Sequence, residues 1–195
     1  MFYWACKSFC ELVLKVLFRC KVSGIQHVPK KGGFILACNH ISFLDPVVAG
    51  GCCPRAVHYM ARDTLFKNFF FGALISHLNT FPVKRGSADI GALREAIRRV
   101  RDGDGLLVFP EGTRNAAQDL GQTKQGVGFL ATKLGVPVVP AFIKGTEKAL
   151  PKGKRGMRLC RIEVRYGQAI RIPRDMNRED AAALVMGAIR KLSLN

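Results

Sequence analysis

The chain has 195 residues, 48 % of them hydrophobic, and a formal net charge of +17 from 31 Lys+Arg against 14 Asp+Glu. That is enough for one domain with a real core, and it lies outside the composition of disordered chains and of ordinary polytopic membrane proteins. The charge asks for an anionic partner: nucleic acid, a membrane surface, or a phosphorylated or acidic substrate.

The cysteines stand at 6, 10, 20, 38, 52, 53 and 160, an odd set with no CxxC. They argue against a disulfide framework and suit a reducing compartment. The histidines at 27, 40, 58 and 77 show no HExxH and no ligand-like spacing, so neither metal nor cofactor is expected.

In chain order, "MFYWACKSFCELVLKVLFRC" (residues 1–20) has the length of a signal or spanning segment, but Lys7, Glu11, Lys15 and Arg19 recur every four residues. At about 100° per residue each step drifts by ~40°, so these charges cover roughly a third of the circumference. The rest of the surface carries Phe2, Trp4, Phe9, Leu12, Val13, Val16 and Leu17. A signal core would lack such charges, and a spanning helix would bury them at high cost. The stretch predicts an amphipathic helix lying in a bilayer interface, with a helix packed on the domain as the alternative, followed by an α/β domain over 21–195.

After a turn-rich lead-in, "FILAC" predicts a buried strand, and Pro46 suits the first turn of a helix through about Ala49. "AVHYMA" predicts a second strand and "TLFKNFFFGALISHL" an apolar helix, either a core helix or one side of an acyl-chain channel. "SADIGALREAIRRVRDGDG" predicts a helix capped by Ser87 and stopped at Gly103. Then come a strand "LLVF", a helix "TKQGVGFLATKLG" and a strand region "VPVVPAFI". A half-exposed strand in "RLCRIEVRY" follows, and a final helix opens at Asn177. Strands alternating with helices mean a single α/β domain with a largely parallel sheet flanked by helices.

"NHISFLD" holds His40 and Asp45. Residues five apart sit ~140° apart on a helix and on opposite faces of a strand, so neither regular element pairs them. A strand ending near Cys38, a turn, and a helix starting at Asp45-Pro46 would let the side chains meet, at the C-terminal sheet edge where α/β sites gather. A histidine there can take a proton from a hydroxyl while a carboxylate holds its tautomer. A structural histidine beside a helix-capping aspartate is the other reading of this motif alone.

"LVFPEGTRN" puts Glu111, Gly112, Thr113 and Arg114 in the turn after another buried strand, and a parallel sheet opens that turn on the same edge. Gly112 lets backbone approach a ligand, and Arg114 offers a fork for phosphate. Glu111 would orient an arginine or accept a hydrogen bond. In "FPVKRG", Lys84 and Arg85 precede a helix start and make a candidate anion site.

Together these residues resemble the glycerolipid acyltransferase family, most nearly its members acting on 1-acyl-sn-glycerol 3-phosphate. "NHISFLD", "FPVKRG", "FPEGTRN" and "VPVVPAFI" are similar to four family blocks and occur in the family's order, from Asn39 to Ile143. The resemblance implies transfer of an acyl group from acyl carrier protein or coenzyme A to the sn-2 hydroxyl of lysophosphatidate, with glycerol 3-phosphate or another lysophospholipid as the alternative acceptor. It implies His40 as base, Asp45 as its orienter, and Arg85, Glu111, Gly112 and Arg114 on the phosphate side, with no enzyme nucleophile. Arg62, in "MARDTLF", stands where members often carry a lysine, and the proline often found just after is missing. The basic run "KALPKGKRGMRLCR" (148–161) suits an anionic leaflet, an acidic carrier protein or the coenzyme A phosphates. Peripheral association with the cytoplasmic face of a membrane is the expected location.

Three rivals define the alternatives. A thioesterase would use Cys38 or Ser42 as nucleophile, although no GxSxG elbow is present. A nucleic-acid binder would interleave basic residues with surface aromatics, and no such pattern occurs. A non-catalytic membrane-binding relative would have no need of the His40, Asp45 and Glu111 blocks.

Overall fold

The computed structural model describes residues 1–84, 89–111, 126–151 and 156–194. The elements are α1 (Phe2–Val16), β1 (Lys21–Ser23), β2 (Phe34–Cys38), α2 (Asp45–Cys52), β3 (Val57–Arg62), α3 (Phe69–His77) and β4 (Thr80–Val83). They continue with α4 (Ile90–Arg101), β5 (Gly105–Val108), α5 (Gly126–Leu134), β6 (Val138–Lys144), α6 (Thr146–Ala149), β7 (Glu163–Tyr166) and α7 (Arg178–Leu194). The strands form one seven-stranded sheet in the order β1-β7-β6-β2-β5-β3-β4. β6, β2, β5, β3 and β4 run parallel, while β7 is antiparallel to β6 and carries β1 parallel to itself. This is the expected α/β architecture.

β2 lies at the centre and is buried on both faces, as its unbroken apolar sequence requires. Its side chains alternate between two cores. Phe34, Leu36 and Cys38 pack with Leu14, Phe18, Val48 and Tyr166 under α1 and α2. Ile35 and Ala37 pack with Ala96, Val100, Leu130, Val185 and Ile189 under α4, α5 and α7. α5 and α7 approach closely because Gly128 has no Cβ, which would stand 2.0 Å from the Arg178 carbonyl oxygen.

Some boundaries differ from the sequence reading. β1 and β4 were not expected: β1 is a three-residue edge strand exposed throughout. β4 is the other edge, where Pro82 costs no ladder bond. The apolar stretch from Thr64 divides into a 3-10 turn (Asp63–Phe66) and α3, because the Asn68 side chain accepts the Phe71 N–H at 3.0 Å and starts the helix afresh. α4 is capped by Asp89, whose Oδ1 accepts the Ala92 N–H at 2.9 Å, and not by Ser87, which lies outside the described residues. β7 is shorter than "RLCRIEVRY": it begins at Glu163, and just before it the Ile162 N–H donates to the Phe18 carbonyl while the Ile162 carbonyl accepts the Lys21 N–H of β1.

α1 rests on α2. Lys7 donates to the Gly51 carbonyl at 3.3 Å, satisfying one of the orphan groups at the end of α2, and Leu14 is buried. Phe2, Trp4, Phe9, Leu12 and Val16 stay exposed. At the N-terminal edge of the sheet, Arg55 joins separate turns. Its guanidinium donates to the carbonyls of Pro29 (3.0 Å), Gly32 (2.7 Å) and Gly103 (2.6 Å) and lies over the Phe34 ring. Arg55→Ala should therefore cost about 2–3 kcal/mol, read as a melting point about 5–10 °C lower, with no change in the sheet's circular dichroism.

Candidate active site

β6, β2 and β5 are neighbours and all end on one edge. Each delivers one part of the site there: Thr146 just after β6, the His40 turn after β2, and Phe109 with Glu111 after β5. Asn39 locks the end of β2 to β6. Its side-chain amide donates to the Ile143 carbonyl at 2.9 Å and its oxygen accepts the Ile143 N–H at 2.7 Å, so it continues the ladder past the last strand pair.

The backbone then turns, and Asp45 opens α2 with Pro46 in its first turn. His40 Nδ1 meets Asp45 Oδ2 at 3.0 Å. The same oxygen accepts the N–H groups of Ile41 (2.6 Å) and Ser42 (2.7 Å), and Oδ1 accepts the Thr146 hydroxyl at 2.6 Å. Asp45 is fully buried, with its polar needs met by these donors. Because the carboxylate only accepts, Nδ1 is the donor in this contact, which leaves Nε2 as the ring nitrogen available to exchange a proton. The Phe109 ring stacks on the imidazole at 4.0 Å between centroids and 19° between planes, which fixes the ring's tilt. Among the described residues Nε2 has no hydrogen-bond partner, and the His40 side chain retains 14 % exposure.

Glu111 lies beside this pair and is buried. Burial pushes its carboxyl up to about 7; the nearby Asp45 charge adds to the rise, and a hydrogen bond to the His40 backbone opposes it. The group therefore changes its protonation near neutrality, within one turn of the histidine.

The structure thus brings His40, Asp45 and Glu111 together. Arg62 ends β3 and Lys84 follows β4, both exposed and on the same edge. With strands about 4.8 Å apart they stand roughly 10 and 14 Å along the sheet from β2, out of contact with the histidine. Arg85, Gly112, Thr113 and Arg114 lie outside the described residues. The nucleophiles of the thioesterase alternative are not poised to act. Cys38 is fully buried and its thiol is pushed well up, mainly by burial and further by the Asp45 and Glu111 charges. The Ser42 hydroxyl contacts the Leu150 carbonyl at 3.4 Å and accepts the Leu44 N–H.

The sequence reading missed Asn39 as a strand clamp, Phe109 as the stacking partner and Thr146 as a ligand of the carboxylate. Phe109 stood in view inside "FPEGTRN". Thr146 is 101 residues from Asp45 and no local spacing connects them.

An acyltransferase family model matches residues 19–144. The chain is 30 % identical over 154 residues to the 1-acyl-sn-glycerol-3-phosphate acyltransferase of Bacillus subtilis, covering 76 % of each chain. It is 27 % identical over 158 residues to a chloroplastic protein of the same name from Brassica napus, covering 80 % of this chain and 46 % of that one. Among solved structures, it is similar to the 1-acyl-sn-glycerophosphate acyltransferase PlsC of Thermotoga maritima, with a TM-score of 0.77 and 26 % identity over 99 % of this chain and 80 % of that one.

The buried Glu111 links stability to pH. Its folded value, about 7, lies above its ordinary 4.5, so the folded state holds the proton more tightly between those values. Its stabilising contribution is full below about pH 4.5 and is lost as pH rises through 7. Glu111→Gln should remove up to about 3 kcal/mol of that slope. The variant's melting temperature should change less than the wild type's between pH 5 and pH 8, and an equal fall in both would contradict the assignment.

Proposed function

Because this chain belongs to the acyltransferase family, we propose that it moves a fatty acyl group from a thioester to the sn-2 hydroxyl of 1-acylglycerol 3-phosphate, forming phosphatidate. The observation that carries this is the His40–Asp45 pair, with Nδ1 engaged at 3.0 Å and Nε2 without a partner among the described residues. The substrate hydroxyl gives its proton to Nε2 as its oxygen attacks the thioester carbonyl. The tetrahedral intermediate collapses, the C–S bond breaks, and the departing sulfur takes the proton back from the imidazolium. The products are an ester and a thiol, with no acyl-enzyme. Asp45, itself fully buried, stabilises the transient imidazolium.

Arg85 and Arg114 are the proposed phosphate ligands, with Lys84 and Arg62 lending positive potential from the same edge. Gly112 and Thr113 would offer backbone and hydroxyl contacts in the same turn. Glu111 would accept a hydrogen bond from the glycerol part of the acceptor. The donor is acyl carrier protein or acyl-coenzyme A, and both suit the basic run of residues 148–161. The enzyme would work as a peripheral protein on the cytoplasmic face of an anionic membrane. The exposed Trp4, Phe9, Leu12 and Val16 on the outer side of α1 support that reading. None of the helices among the described residues is long and apolar enough to cross a membrane.

His40→Ala should lower kcat at least about a thousandfold while circular dichroism and vesicle binding are kept. Near-normal turnover of labelled acyl thioester with lysophosphatidate would refute the proposed base. Thr146→Val should lower kcat about tenfold at unchanged KM, because it removes one donor from the buried carboxylate, and Thr146→Ser should restore it. A matching loss in both Thr146 variants would show that packing, not the hydroxyl, matters there.

A further inference from the structure

α3 breaks the rule that a helix apolar on every side is buried. Its sequence, FFFGALISH, has no acidic residue and no Lys or Arg, yet only Gly72 is buried. Phe69 is 79 % exposed and Phe70 83 %, with Phe71 and Leu74 nearly half exposed. The helix packs on β4 and on the 63–66 turn and turns its remaining sides outward.

Its polar groups are directed back into the helix. The Ser76 hydroxyl donates to the Gly72 carbonyl at 2.8 Å, and His77 Nδ1 meets the Ala73 carbonyl at 2.8 Å. The Asn68 side chain takes the Phe71 N–H. Internal satisfaction of polar groups is what a hydrocarbon environment demands, whereas water requires none of it.

The position and charge agree. α3 follows the C-terminal end of β3, so its phenylalanine end lies on the sheet edge that carries His40. Exposed Arg62 and Lys67 flank that end, with Asp63 tied to the Thr64 N–H as the local acid. At its other end, His77 makes an edge contact with Phe2 of α1, 6.0 Å between ring centroids, so the C-terminal end of α3 meets the N-terminal end of α1. Basic side chains beside an aromatic wedge match an anionic headgroup layer over acyl chains.

We infer that α3 is a second lipid-inserting element: Phe69 and Phe70 enter the acyl region of an anionic bilayer and hold the His40 edge of the sheet against it. The inference rests on the lipid acceptor proposed above. It adds that α1 is not the sole anchor and that the anchoring surface reaches the catalytic edge.

Trp4 is the one tryptophan, so a Trp4→Phe/Phe70→Trp protein reports on α3 alone. On phosphatidylglycerol vesicles its emission should shift to the blue and be quenched by lipids brominated along the acyl chain. Phe69→Ser/Phe70→Ser should weaken vesicle binding at least about tenfold with an unchanged melting temperature. Unshifted, unquenched emission at position 70, with native Trp4 quenched in the parent protein, would overturn the inference and leave α1 as the anchor. A concentration-dependent dimer without vesicles, abolished by the double serine variant, would assign the face to a second copy and also overturn it. Acyl transfer to lysophosphatidate by the unaltered protein in detergent micelles tests the proposed function separately, since it does not depend on where α3 sits.

Discussion

A carboxylate with no exposed surface, Asp45, governs the geometry of the sheet edge that carries His40. Burying such a group without compensation would cost several kcal/mol, so the surrounding chain must deliver donors to it. Among the described residues no lysine or arginine does so. The donors are the turn's own N–H groups at Ile41 and Ser42, a hydroxyl from beyond β6, and the imidazole of His40. The turn after β2 therefore cannot relax independently of the histidine, and β6 must lie beside β2 to supply Thr146. Asn39 enforces that second condition by pairing with both backbone groups of Ile143. The imidazole's position thus follows from satisfying a buried charge, and preorganisation of the proposed base needs no separate device.

The same burial explains why the chemistry proposed is direct attack and not covalent catalysis. Cys38 sits two residues before the histidine, but its parity in β2 points it into the core beneath α2, with Phe34 and Leu36. A thiol there is poorly ionised, and two carboxyl groups nearby make it worse. The ring nitrogen left without a partner among the described residues is Nε2, the atom that the proposed reaction needs free.

Sequence reading recovers what is local and strongly patterned. β2, α2 and the meeting of His40 with Asp45 across a turn follow from an apolar run, a Pro46 and an awkward five-residue step. The parallel sheet follows from alternation, and with it the placement of Glu111 on the same edge as His40. What stayed hidden depends on partners far away in sequence. Thr146 acquires its role only because β6 docks beside β2. The short edges β1 and β4 are strands through pairing and not through propensity, since Lys21–Ser23 is wholly exposed and β4 contains Pro82. The cap at Asp89 was hidden by Ser87, a good capping residue two positions earlier in the same polar stretch.

The two sides of the sheet are finished differently, and the difference bears on where substrate arrives. α4, α5 and α7 cover one face with a closed apolar core. On the other, α2 is short, and α1 uses a lysine and the buried Leu14 to sit on it. That contact turns α1 partly inside out compared with a helix of a water-soluble surface: Lys7 faces the protein, and Phe9, Leu12 and Val16 face outward. α3 shares the inversion, with phenylalanines outside and polar side chains bonded back to its own carbonyls. In water this arrangement leaves a large apolar area exposed, which folding alone would not favour. It becomes favourable when the exposed side meets lipid. An acceptor whose acyl chain stays in the bilayer and whose hydroxyl must reach Nε2 would then approach along that side, at the edge where the strands end.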